Sequence, residues 1–381
     1  MTELKKTHAG DGERNDTPPV PEQGGNTLSS NGKEQCKDRQ PKIIDCFLFF
    51  QELDLLEIRL KYLNEVVDTF VIVEACQTFT GKPKEFAFEL NQDRYSEYLS
   101  KINYFRIEDK HSNYASVVEH LSRLDAKSAA KVKSWMDNHN HYDKDKLECV
   151  LDTYHRECIQ VALEGLGLND SDVVMISDLD EIPSLIAIQA SITSTESNKP
   201  SALKQKTFSY FLDYYKDSDW IGTIIGSYGD IKRYSLNDLR IDSKKTRRLI
   251  NDKAIEKGGY HFTTCGSIEE IKKKIESWAH QEFNNSFVIN SLEDKIKRGQ
   301  DPFSRSSGTI FSRVRISDIN IYDKHMQEII AEFPHLLSPG DIEKVSSSII
   351  SDLINKIRLY LPRIKDGLSR KIRRAVGKIK P

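Results

Sequence analysis

The chain has 381 residues, and its 56 Lys and Arg nearly balance its 58 Asp and Glu, giving a formal net charge of −2. A protein that coats nucleic acid over its whole surface needs a strong basic excess, so no nucleic-acid partner is expected. With only 19 Gly and 12 Pro, the composition also excludes a collagenous or wholly disordered chain.

Residues 1–40 are rich in Gly, Pro, Ser, Asn and charged side chains. Such a segment buries too little apolar surface to offset its chain entropy, which predicts a disordered leader. It lacks the apolar run of a secretory signal, and no segment of the chain reaches the roughly 20 apolar residues that span a bilayer. The six cysteines form no CxxC pair. We therefore expect a cytoplasmic protein with reduced thiols.

The ordered part of the chain alternates between two kinds of pattern. Short apolar runs predict buried strands at 43–50, 69–74, 102–107 and 172–176. Apolar residues at helical spacing predict helices at 52–63, 148–166 and 267–279. Strands alternating with helices at this spacing favour an α/β fold with a mostly parallel sheet and right-handed crossovers.

Two carboxylates directly follow the last of these strands, in the segment DVVMISDLDEIP at 172–183. Asp178 and Asp180 lie where ligands of open α/β sheets bind, and an i,i+2 pair of carboxylates can face one cation. Such hard oxygen ligands suit Mg²⁺ or Mn²⁺, which in turn bridge diphosphate oxygens. A haloacid-dehalogenase-type phosphatase, with Asp178 as its nucleophile, is an alternative, although Ile182 stands where that class carries Thr or Val.

Three segments in the same order resemble glycosyltransferase family 17, whose members include the enzyme that adds bisecting N-acetylglucosamine to N-glycans. They are FFQELDLLEIRLKYLNEVVDTFVIVEACQTFTGKPKEFAF at 49–88, the DxDEIP segment at 172–183, and GGYHFTTCGSIEEIKKKI at 258–275. The resemblance implies a nucleotide-sugar-binding fold of the GT-A type over residues 41–315. It also implies inverting transfer of a sugar, with UDP-GlcNAc as the donor, to a glycan or a lipid-linked saccharide.

The resemblance further implies which residues bind the metal and the donor. Asp178 and Asp180 match the metal-binding pair, and His261 matches the histidine that would complete the shell around Mn²⁺ or Mg²⁺. Asp178 is also expected to contact the donor. Tyr260 stands where the family has Trp, and the family's Cys pair is not retained, so the acceptor is expected to differ from an N-glycan core.

Three further residues are expected near the donor. Glu74 ends a predicted strand, where a GT-A fold holds the nucleoside. Arg59 lies on the first predicted helix, and Arg156 falls in a Tyr-x-Arg of the family, from where it can pair with a diphosphate or with an acidic residue. A structural ion pair is the alternative for both arginines.

Transfer to a hydroxyl requires a general base. Glu282 in HQEF and Asp301 in RGQDPF are carboxylate candidates in the second half of the chain. His280 is a third candidate, either as base or as a diphosphate contact. Spacing alone does not choose between these three residues and surface positions of a charged loop.

Residues 316–381 are expected to form a helical, basic extension. Within it, the segment 353–381 mixes Ile, Leu and Val at helical spacing with a strong excess of Lys and Arg. Such a stretch can lie on an anionic membrane surface, which would make the protein peripheral at the inner face of a membrane. Packing of the apolar stripe on the catalytic domain is the alternative.

A non-catalytic carbohydrate-binding protein remains the non-enzymatic alternative for the whole chain.

Overall fold

The computed structural model describes residues 39–124, 127–139, 142–193, 199–241, 245–252, 254–303, 307–346, 348–351, 353–354 and 357. The predicted leader therefore lies outside the described residues except for its last two positions. The described residues from Pro41 onward form one compact unit. None of the described helices is long and apolar enough to cross a membrane.

The described residues contain the following strands: β1 (Ile43–Phe49), β2 (Thr69–Ala75), β3 (Ile102–Ile107), β4 (Val173–Asp178), β5 (Glu181–Pro183), β6 (Ser201–Ser209), β7 (Tyr214–Ser227), β8 (Ile255–Thr263) and β9 (Phe311–Arg313). The α-helices are α1 (Leu53–Leu63), α2 (Ala87–Leu90), α3 (Tyr114–Arg123), α4 (Lys127–Asn138), α5 (Leu147–Glu164), α6 (Leu185–Thr193), α7 (Tyr228–Ile231), α8 (Leu236–Arg240), α9 (Lys245–Asn251), α10 (Ile268–Ser277), α11 (Ser286–Lys297) and α12 (Lys324–Ile330). Short 3-10 helices occupy Gln92–Tyr95, Leu99–Lys101, Gln281–Phe283 and Pro334–Leu336.

These strands form one sheet in the order β3-β2-β1-β4-β7-β6-β8-β5, with β9 paired to β7. The prediction of a mostly parallel sheet is wrong, because the sheet is mixed. Pairings among β1 to β4 are parallel, whereas β7 runs antiparallel to β4, β6 and β9. Only a short turn joins β6 to β7, and a connection of that length permits antiparallel pairing alone.

The predicted strands and helices of the first half are confirmed. The strands form the sheet, and α1 and α5 pack on its two faces. Side chains of β1 alternate between two cores: Phe47 packs with α1 on one face, and Cys46 packs with α5 on the other. Strands buried on both faces are expected to be continuous apolar runs, which is how β1, β2 and β4 appear in the sequence. The fold is thus α/β, with a large central sheet flanked by helices.

A cleft opens at the carboxyl ends of the parallel strands. The chain leaves β1 toward β2 and β3 on one side and later returns to place β4 on the other side of β1. Such a reversal creates a crevice outside the strand ends, which is where α/β sheets bind their ligands. The segment after β4, with the predicted carboxylates, lies at this position.

Part of the predicted C-terminal extension packs into the same core as the sheet. Met326 and Ile330 of α12 are buried beside β1 and α1 residues. Asp323, which caps α12, accepts hydrogen bonds from the hydroxyls of Tyr62 (2.5 Å) and Tyr260 (2.9 Å). Residues up to the end of α12 are therefore tied to both α1 and β8.

Candidate active site at the carboxyl ends of the strands

Arg59 holds the backbone of the segment that carries the predicted carboxylates. Its Nη1 donates to the carbonyl oxygens of Asp178 (3.1 Å), Leu179 (2.9 Å) and Glu181 (2.9 Å). The other side of the guanidinium donates to both carboxylate oxygens of Asp45, at 2.8 and 2.6 Å. Arg59 is fully buried. It therefore lies beneath the loop and shapes it, rather than in the cleft where donor contact was predicted.

Asp178 stands between two arginines. Its Oδ1 accepts a hydrogen bond from Arg156 (2.7 Å), and its Oδ2 accepts one from Arg240 (2.9 Å). Burial raises the pKa of the Asp178 carboxyl, but the two guanidinium groups outweigh burial and hold that pKa well below its usual range. Asp178 is accordingly ionised at neutral pH, and both of its oxygens point at cationic groups.

Glu181, the acid of DEIP, is the buried centre of the cluster. Arg240 contacts it with both terminal nitrogens, at 2.8 and 2.9 Å, which is the bidentate geometry that a guanidinium offers a carboxylate. The indole nitrogen of Trp220 donates to Glu181 Oε1 at 2.6 Å. Burial raises the pKa of Glu181, and Arg240 more than offsets this, so the net pKa is lowered.

Asp180 faces a lysine instead of an arginine. Lys274 of α10 donates to Asp180 Oδ2 at 3.0 Å and lies 2.9 Å from Glu52. With Glu52, the cluster brings four carboxylates (Asp178, Asp180, Glu181 and Glu52) to three cations (Arg156, Arg240 and Lys274). Close pairing of this kind is what allows charged groups to stay buried.

His261 reaches the cluster because a glycine lets two strands approach. Gly259 has φ +123°, and a Cβ there would lie 2.1 Å from the carbonyl oxygen of Ile182, so only glycine allows β8 to run against β5. This pairing sets His261 opposite Glu181. The imidazole packs against Trp220, with ring centroids 4.8 Å apart, and its Nε2 lies 3.8 Å from Asp180 Oδ1.

Asp180 and His261 offer two ligand atoms to a divalent cation. Among the described residues no group of three His, Cys, Asp or Glu side chains is arranged to hold a metal. Asp180 Oδ1 and His261 Nε2 nevertheless lie close to each other, and His261 Nδ1 is buried without a hydrogen-bond partner. Mg²⁺ is commonly bound by one or two side chains together with substrate phosphates and waters. Asp178, predicted as a further ligand, has both oxygens occupied by arginines.

The cleft beside the cluster has a volume of about 340 Å³. The predicted residues that line it are Arg156, Asp178, Asp180, His261 and His280. Glu74 is fully buried behind it and accepts hydrogen bonds from the backbone amides of Ala87 (2.6 Å) and Phe88 (3.1 Å). Its carboxylate therefore holds the start of α2, and only the neighbouring residues of β2 face the cleft.

The three candidate bases occupy different environments. His280 lines the cleft, its side chain is 67% exposed, and its Nδ1 lies 3.3 Å from Glu282 Oε1. Glu282 is thus placed behind His280. Asp301 is buried and accepts a hydrogen bond from the backbone amide of Phe303 at 3.1 Å, outside the set of described residues that line the cleft.

Several residues of the site were not singled out from the sequence. They are Glu52, His155, Arg240 and Lys274. Glu52 and Lys274 lie within the segments that carry the resemblance, and His155 is the middle residue of the Tyr-x-Arg, but none of these matches assigned them a role. Arg240 lies outside all of these segments. Charge balance is the signal that points to such residues. Three carboxylates at the end of a buried strand require cationic partners from elsewhere in the chain.

Solved structures and one protein family match this chain. One matched structure is a crystal structure of 4-diphosphocytidyl-2C-methyl-D-erythritol synthase, at 12% identity and a TM-score of 0.29, covering 60% of this chain and 90% of that one. No curated protein matches the chain. The model of glycosyltransferase family 17 matches residues 26–140 and 122–305. This match extends over most of the chain and includes the whole carboxylate cluster, so the chain belongs to glycosyltransferase family 17.

Proposed function

We propose that the protein transfers N-acetylglucosamine from UDP-GlcNAc to a hydroxyl of a glycan or lipid-linked saccharide, with inversion and with Mn²⁺ or Mg²⁺. Membership of family 17 makes it a transferase of sugars. The observation that carries the finer proposal is the pair of Asp180 Oδ1 and His261 Nε2, 3.8 Å apart beside the cleft. We further propose that the sheet and cleft are a nucleotide-sugar fold of the GT-A type.

In this proposal Asp180 and His261 hold the cation, which when bound supplies Lewis-acid neutralisation of the diphosphate leaving group. Arg156 lines the cleft and is held by Asp178 at 2.7 Å, so its remaining donors are oriented toward the diphosphate. Arg156 and Arg240 keep Asp178 ionised, and Glu181 holds the segment in place by accepting a hydrogen bond from the backbone amide of Asp178 at 3.1 Å. Burial and ion pairing thus give a rigid charged end to the cleft.

The proposed base is His280, oriented by Glu282. If Nδ1–H donates to Glu282 across the 3.3 Å separation, the ring presents Nε2 as the atom that takes the proton from the acceptor hydroxyl. Histidine is the side chain most often used for this purpose near neutral pH. Asp301, buried away from the cleft, is not part of this mechanism.

We also propose that the C-terminal segment attaches the protein to an anionic membrane surface on the cytoplasmic side. The supporting observation is an apolar helical face that is exposed at Ile349, Ile350, Leu353, Ile354 and Ile357. Residues 358–381, which carry most of the basic excess, lie outside the described residues. Co-sedimentation with anionic liposomes tests this: a chain truncated near residue 352 is expected to lose binding, and equal binding by both forms would overturn it.

UDP release with a panel of nucleotide-sugars tests the catalytic proposal. We expect turnover with UDP-GlcNAc and Mn²⁺. This turnover is expected to disappear when a chelator is added and to be absent in Asp180→Asn. Asp341→Asn is the matched control, because that side chain is 99% exposed, and it is expected to behave as the unmodified protein. Binding of saccharides without turnover would favour the non-catalytic alternative, and chelator-resistant turnover would overturn the metal requirement.

A further inference from the structure

His155 is a buried histidine at the cleft that has no hydrogen-bond partner. It lies on α5, is 3% exposed, and lines the cleft beside Phe79, whose ring centroid is 5.5 Å away. Its Nε2 is buried without a partner. Buried polar atoms in folded proteins are almost always hydrogen-bonded, so an unpartnered nitrogen in a residue that lines a cleft calls for a partner from outside the chain.

The imidazole is neutral, which determines what it can recognise. Burial lowers the pKa of His155 to about 3, so the ring is uncharged at neutral pH. A neutral imidazole carries one donor nitrogen and one acceptor nitrogen. The two ring nitrogens point in different directions, so Nε2 makes one hydrogen bond to a neutral edge, as donor or as acceptor, and the uncharged ring adds no charge attraction for a phosphate.

This histidine lies toward the β2–β3 side of the cleft, whereas the charged cluster follows β4. His155 packs against Phe79, which follows β2, and the charged groups that act on it include Asp109 and His111, which follow β3. Leu48 of β1 pairs with Asp178 on one side and with Val73 of β2 on the other, and Ala75 of β2 pairs with Ile107 of β3. All five line the cleft. From β4 to β3 this is three strand spacings, about 14 Å, which an extended nucleoside diphosphate can span.

We propose that His155 binds the donor's nucleobase, with Nε2 hydrogen-bonded to the edge of a uracil while Phe79 packs against its face. The proposal rests on the function proposed above and names the residue that reads its donor. Uracil presents an N–H donor between two carbonyl acceptors, so His155 has a complementary partner in either tautomer. The apolar side chains of Val73, Ala75 and Ile107 exclude water from this end of the cleft.

Binding of UDP, CDP and inorganic pyrophosphate, each with Mn²⁺, to the full chain tests the proposal by calorimetry. His155→Phe keeps a ring but removes both nitrogens, and we expect about a tenfold loss of affinity for UDP and a similar loss for CDP, whose base also offers donors and acceptors. Pyrophosphate affinity is expected to stay unchanged, which also reports that the variant is folded. His155→Gln, which retains a donor and an acceptor, is expected to recover part of the affinity. His335→Phe, at an exposed position, is the matched control.

Unchanged UDP affinity in His155→Phe would overturn the assignment of His155 while leaving the proposed function intact. Equal losses for UDP and pyrophosphate would also overturn it, because they would indicate general damage to the cleft. If the unmodified protein binds no nucleotide, both proposals fail together. Ring ¹⁵N shifts of His155 in the unmodified protein give a readout without substitution: they are expected to move with UDP and not with pyrophosphate, and the absence of a UDP-dependent change would contradict the proposal.

Discussion

Arg240 and Glu181 form a two-pronged ion pair inside the protein, with Nη1 2.8 Å from Oε2 and Nη2 2.9 Å from Oε1. Glu181 is fully buried. The same guanidinium also donates to Asp178 at 2.9 Å. One arginine from α8 thus fixes two carboxylates of the segment after β4, and the geometry of the charged end of the cleft depends on it.

Arg240→Gln is expected to lower the free energy of unfolding by about 3–5 kcal/mol, because it leaves a buried carboxylate unpaired. Urea unfolding followed by circular dichroism measures this. Arg233→Gln is the matched control, since that side chain is 70% exposed. Adding Glu181→Gln to Arg240→Gln is expected to recover part of the loss. A single variant as stable as the control would contradict the role assigned to this pair.

For the Arg59–Asp45 pair we predict that a second substitution recovers stability without recovering activity. Arg59→Met leaves Asp45 as an unpaired buried charge, and Asp45→Asn in the same chain removes that charge. We expect the double variant to unfold at a higher temperature than Arg59→Met alone. It should nevertheless release no UDP, because the carbonyl oxygens of Asp178, Leu179 and Glu181 still lack their donor. A double variant with normal turnover would show that Arg59 does not shape the loop.

Sequence patterns predicted the parts of the fold that depend on local order. The runs that became β1, β2 and β4 are continuously apolar, and Leu56 and Leu60 of α1 repeat at helical spacing, so both element types could be recognised. The mixed character of the sheet could not be predicted, because it arises where β7 inserts between β4 and β6. That placement depends on packing between segments far apart in the chain.

The candidate site likewise contains residues that could be predicted from the sequence and residues that could not. Asp178 and Asp180 follow a strong strand, so their place at the cleft could be predicted, and His261 was found through the GGYH segment. Arg240 could not, because it meets Glu181 only after about 60 intervening residues have folded. Buried charges such as Arg59 and Glu74 are hard to distinguish from ligand-binding residues in a sequence, since both require a specific partner.

Glu157 stabilises the short helix that carries Arg240. Its carboxylate accepts hydrogen bonds from the backbone amides of Leu236 (3.0 Å) and Asn237 (3.2 Å) at the start of α8. Glu157→Ala is expected to cost about 2–3 kcal/mol of unfolding free energy, the contribution of hydrogen bonds to a charged group. It should also reduce turnover, because Arg240 ends this helix. Glu65→Ala, at an exposed position in the turn after α1, is the comparison for thermal melting and UDP release; identical behaviour of the two variants would contradict the capping role.

The burial of His155 predicts how stability changes with pH. In the unfolded chain its pKa is near the ordinary value of 6.5, whereas in the folded protein burial lowers it to about 3. Between these pH values the unfolded state binds a proton that the folded state does not bind. The contribution of neutral His155 to the free energy of unfolding is therefore complete above pH 6.5 and is lost as pH falls toward 3. The slope for one such group is about 1.4 kcal/mol per pH unit. Urea unfolding between pH 6.5 and 5 covers this range below the titration of His155 in the unfolded chain, and comparison with a variant separates its contribution from that of the other histidines. His155→Gln is expected to reduce the slope by about that amount, and parallel curves for the two proteins would show that His155 is not held neutral.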